Sequence, residues 1–97
     1  MELARTAIES VTVTIDTTAS PINPPSVAIG VGTASPGPDA QWVQAAWSEP
    51  GTEATFQLAG IDAPETAALR TKALGHNYVY VRFGTVIRKA EGVVEVR

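Results

Sequence analysis

The sequence predicts an all-β fold, an immunoglobulin-like β-sandwich of six or seven short strands, and three observations carry that expectation. Apolar and polar residues alternate with period two in segment after segment, proline and glycine clusters interrupt them, and only one stretch carries the punctuation of a helix. With 97 residues, 44% of them hydrophobic, the chain can build one core, read as a single sandwich domain at 8–97 behind an N-terminal arm at 1–7.

The first strand is expected over residues 9–16, where Val11, Val13 and Ile15 share one face and Ser10, Thr12 and Thr14 the other. Pro21, Pro24 and Pro25 then remove backbone donors, so pairing stops across 17–26. Val27, Ile29 and Val31 alternate with Ala28, Gly30 and Gly32, a strand whose second face is bare enough for close packing. Ser35-Pro36-Gly37-Pro38 marks the next turn. Over 41–48, Trp42 and Trp47 have opposite parity, so either one ring faces the core and the other faces out, or a bulge brings both to one side.

Glu49-Pro50-Gly51 is a turn into a strand carrying Ala54, Phe56 and Leu58 on one face. Residues 62–75 are expected to form a short helix, with Asp62 as cap, Pro64 in the first turn, Glu65 three residues after the cap and Gly75 at the end; an irregular strand is the other reading. Asn77 to Phe83 is the clearest strand, Val79, Val81 and Phe83 alternating with Tyr78, Tyr80 and Arg82, and both of its faces look half-buried. Tyr78 stands where such sandwiches place a corner tyrosine whose hydroxyl returns to the backbone. Val86 to Lys89 and Gly92 to Val96 complete the fold as one bent strand or a hairpin, with Gly92 as a bulge.

Residues that could carry chemistry are few. There is no cysteine and one histidine, His76, so thiolate sites and paired imidazoles are excluded within one chain, and His76 reads as a solvated turn residue. Asp62 and Glu65 could act as paired carboxylates or bind a hard cation, but a helix cap accounts for them more simply. Ser and Thr between residues 10 and 20 form the wet face of a strand, without a G-x-S-x-G turn or an S-x-x-K pair. Gly30-Val31-Gly32 lacks the third glycine and following helix of a dinucleotide loop. No catalytic, metal or cofactor-binding residue is assigned, and an enzyme is not expected.

Charge is uneven: the net charge of −3 divides into −7 over residues 1–69 and +4 over residues 70–97. Acidic segments could lie beside basic strands within the fold, or the molecule could be bipolar and associate head to tail. Direct nucleic-acid binding is not expected from a negative chain whose only adjacent basic pair is Arg88-Lys89. No apolar run approaches the roughly 20 residues that a membrane-spanning helix needs, so no membrane partner is expected either.

Four short motifs, Ile8-Glu9-x-Val11-x-Val13, Trp42-x-x-Ala45-x-Trp47, Thr66-Ala67-Ala68-Leu69 and Tyr78-x-Tyr80-Val81-Arg82, occur in that order over most of the chain. Together they resemble small virion structural proteins, of the head or head–tail junction, from tailed bacteriophages that infect actinobacteria. The resemblance implies a non-enzymatic particle component, a capsid decoration or head–tail connector, made in the host cytoplasm and located in the virion. Its partners would be capsid, portal or connector proteins and copies of itself. A carbohydrate-binding or adhesion module is the alternative, in which an exposed Trp42 or Trp47 and the 32–40 loop would form the site.

Overall fold

The computed structural model describes residues 1–14, 23–31, 36, 41–49, 52–64, 69–83, 86–90 and 92–97. Among them the chain is all-β, with ten strand segments: β1 (Glu2–Leu3), β2 (Ile8–Thr14), β3 (Ser26–Gly30), β4 (Val43–Gln44), β5 (Ala46–Glu49), β6 (Glu53–Ala59), β7 (Leu69–Arg70), β8 (Gly75–Phe83), β9 (Val86–Lys89) and β10 (Val94–Val96). A six-stranded sheet runs β1-β10-β8-β3-β4, with β9 also on β8; a four-stranded sheet runs β2-β6-β5, with β7 also on β6. The ten segments exceed the six or seven strands expected, because bends divide two strands and two further pairings are only two residues long.

Period-two alternation explains the layering. In β2, Val13 is buried and Val11 half-buried, while Ser10, Thr12 and Thr14 are exposed. Val27 and Ile29 of β3, Ala54, Phe56 and Leu58 of β6, and Val79 and Val81 of β8 meet between the sheets, joined by Leu3, Leu69, Val94 and Val96. Each fully buried aliphatic side chain contributes about 1.5–3 kcal/mol relative to exposure. Both faces of β3 are covered: Ala28 is buried, and a Cβ at Gly30 would lie 2.7 Å from the Tyr80 ring. Glycine is required there by close approach.

The segment around Ala45 changes sheets. β4 pairs with β3 and β5 with β6, and between them the Ala45 amide donates to the Pro25 carbonyl at 2.9 Å. The break separates the tryptophans. Trp47 packs against the core and stacks on Phe83 at 6.5 Å, whereas Trp42 lies by Arg82, whose guanidinium carbon is 4.4 Å from its ring centroid. Arg82 alternates with Val81 and Phe83, so Trp42 belongs to the outer face. The first of the two tryptophan readings holds.

Strands β9 and β10 are one bent strand along one edge of β8. Pairing advances by two residues between Tyr80↔Lys89 and Asn77↔Val94, and Gly92 in the irregular stretch has φ +86°. That positive φ suits glycine and makes room for the bulge.

The helix expected at 62–75 is absent from the described residues of that stretch. Asp62 lies exposed in a turn, and its amide donates to the Arg5 carbonyl at 2.8 Å. Leu69 and Arg70 form β7, parallel to β6, and Leu69 is buried in the core. Among the described residues, side chains and neighbouring strands, not a helical ladder, satisfy this backbone. The Arg70 guanidinium donates to the Gly60 and Ala63 carbonyls at 3.1 and 2.9 Å. Buried Asn77 accepts from the Lys72 and Ala73 amides and donates to the Ala73 and Gly75 carbonyls. Gly75, at φ +84°, opens β8 instead of ending a helix. Glu65 lies outside the described residues.

Candidate functional site

Surface chemistry concentrates on strand edges. On the edge of β8 opposite β3, the N-terminal segment covers one half. β1 runs parallel to β10 with Glu2↔Glu95 and Leu3↔Val96, and the Glu95 and Arg97 amides donate to the Met1 and Leu3 carbonyls at 2.8 and 3.1 Å. The Met1 amino group donates to the Val93 carbonyl at 2.7 Å, and Arg97 forms an ion pair with Glu2. Leu3 anchors the strap with 1% of its surface exposed.

The other half of that edge is open. Val86, Ile87, Arg88 and Lys89 of β9 are all exposed, and among the described residues β9 has β8 as its only neighbour. Val86 and Arg88 pair with Phe83 and Val81, which pack on the core. They therefore share the inward parity, yet Val86 is 51% exposed because the smaller sheet does not reach over it.

β2 is the second open edge. Its seven residues pair with β6, and no other described strand lies against it. Glu9 carries its only charge, and Ile8 is exposed. β4 and β5 end the two sheets on the other side, and the two open edges on this side carry opposite charge: Arg88 and Lys89 on β9, Glu9 on β2. The crossover Ala4–Ala7 joins β1 to β2, fixed by hydrogen bonds from Arg5 N to Arg97 O at 3.1 Å and from Gly60 N to Ala7 O at 2.8 Å. So short a link places the β2 edge and the strapped edge on one flank of the sandwich.

The other sequence candidates are not brought together. His76 is an exposed strand residue of β8 opposite Glu95, not part of a turn. No group of three His, Cys, Asp or Glu side chains among the described residues is arranged to hold a metal. Tyr78 is half-buried with the Lys89 ammonium 4.9 Å from its ring centroid, a contact that differs from the corner hydrogen bond expected. Among the described residues, no helix is long and apolar enough to cross a membrane. Sequence reasoning found β9 as a strand but missed its overhang, which depends on where the second sheet ends.

The geometry defines a small β-sandwich with two open, oppositely charged strand edges on one flank. No family model, curated protein or solved structure matches the chain.

Proposed function

We propose that this chain is a non-enzymatic structural component of a phage virion, a capsid decoration or head–tail connector protein that binds its neighbours through strand edges. The observation that carries the proposal is the pair of open edges, β9 with its exposed Val86 and Ile87 and β2 with its exposed Ile8. An unpaired edge presents a row of backbone donors and acceptors, which a neighbouring strand satisfies, while side chains supply selectivity. On a symmetric particle such short contacts gain avidity from repetition. The four sequence motifs support the placement in a virion.

The carbohydrate-binding alternative draws little from the tryptophans. Arg82 lies over the Trp42 ring, and Phe83 stacks on Trp47. Mass spectrometry of purified particles of the phage that encodes the chain tests the proposal. Stoichiometric presence in particles is the expected result; presence only in the infected-cell lysate would remove it.

A further inference from the structure

We infer that the β2 edge of one copy pairs antiparallel with the β9 edge of a second copy, in the register that sets Glu9 opposite Arg88. This names a partner and a contact for the assembly reading above and rests on that reading. Hydrogen-bond parity, side-chain facing and charge select the same register.

Parity comes first. In an antiparallel ladder, hydrogen-bonded pairs alternate with pairs whose backbone groups point away from the partner strand. The Ala90 amide donates to the Val79 carbonyl at 2.8 Å, which makes Val79–Ala90 a hydrogen-bonded position. Counting along β9, the backbone groups of Ile87 and Lys89 point outward from β8. The Gly60 amide donates to the Ala7 carbonyl, so the same count on β2 turns Ile8, Ser10, Thr12 and Thr14 outward from β6. With Glu9 opposite Arg88, Ser10 stands opposite Ile87 and Ile8 opposite Lys89. Outward backbone then meets outward backbone at both positions.

Facing agrees. Glu9 and Val11 share the inward parity of Val13, as Val86 and Arg88 share that of Phe83 and Val81. The register therefore places Val11 opposite Val86 and continues one inner face across both copies. Val86, 51% exposed in the single chain, gains an apolar neighbour.

Charge decides among the registers that parity allows. A shift by two residues keeps the backbone match but separates Glu9 from Arg88. Pairing β9 with another β9 brings no anion to Arg88 and, with Ile87 opposite Lys89, sets Arg88 against itself, and pairing β2 with β2 brings no cation to Glu9. Arg88 and Lys89 therefore guard β9 against itself while leaving it open to the acidic edge.

Sedimentation velocity on the purified full chain, up to millimolar concentration, tests the pairing. The unmodified chain is expected to self-associate with increasing concentration. Glu9→Arg and Arg88→Glu, both at exposed positions, are each expected to weaken association about tenfold, and the double reversal to restore most of it. Ile87→Pro removes an outward amide without touching the β8 ladder, so it is expected to abolish association while the circular dichroism spectrum and melting temperature hold. A chain that stays monomeric, or single reversals that change nothing, or a double reversal without recovery, would overturn the inference. Presence in purified particles separates the two ideas. A particle-bound chain indifferent to these substitutions removes the edge pairing and keeps the assembly reading; an edge-dependent oligomer missing from particles does the reverse.

Discussion

The two halves of one strand edge along β8 are finished differently. At β10 the edge is strapped by β1, sealed by backbone hydrogen bonds and anchored by a fully buried leucine. At β9, a few residues earlier, the same edge has no further strand among the described residues and carries two exposed aliphatic and two basic side chains. Edges that serve no partner are usually covered, shortened or twisted away. A chain that covers one stretch and leaves the next open keeps a defined length of backbone available.

The largest expected effect separates the halves by stability. Leu3→Ala should cost about 2–5 kcal/mol in urea unfolding, whereas Val86→Ala should fall within about 0.5 kcal/mol, since the second side chain is half in solvent already. Similar costs at both positions would break the comparison. Next, Asn77→Ala should cost about 2–3 kcal/mol, because it strips partners from four amide and carbonyl sites of a half-buried turn beside the strapped half.

Amide exchange sharpens the comparison without mutation. The Ile87 and Lys89 amides should exchange at least about tenfold faster than those of Glu95 and Arg97, which are held by the strap. Equal protection under dilute conditions would mean that β9 is not open in solution. The smallest effect belongs to Asp62→Ala, expected within about 0.5 kcal/mol by thermal unfolding because Asp62 lies exposed in a turn and caps no helix. A loss of a full cap's worth, about 1 kcal/mol, would restore the helical reading of that stretch.

What the sequence disclosed follows from the range of each interaction. β2, β3, β6 and β8 were legible because one face of each is dry, and Val11, Val13, Phe56, Leu58, Val79 and Val81 write that fact locally. β1 and β7 were not, since two residues display no period and both segments pair in parallel, β1 with a strand at the other end of the sequence. Residues 62–75 misled for a related reason. Asp62, Pro64 and Gly75 carry helix punctuation, but the guanidinium of Arg70 and the carboxamide of Asn77 satisfy the same backbone groups from the side. The uneven charge was visible at once; that its basic end sits on an open edge depends on which strands the smaller sheet covers.

The parallel strap also bears on how the protein is produced. Met1 is held by its amino group to the Val93 carbonyl, and the register of β1 runs backward along β10 toward β9. Residues fused ahead of Met1 would be launched along that line and laid over the edge that is otherwise free. An amino-terminal purification tag is therefore a strand in waiting, able to silence the β9 edge, and a preparation extended at Arg97 is the better reagent for seeing what β9 binds.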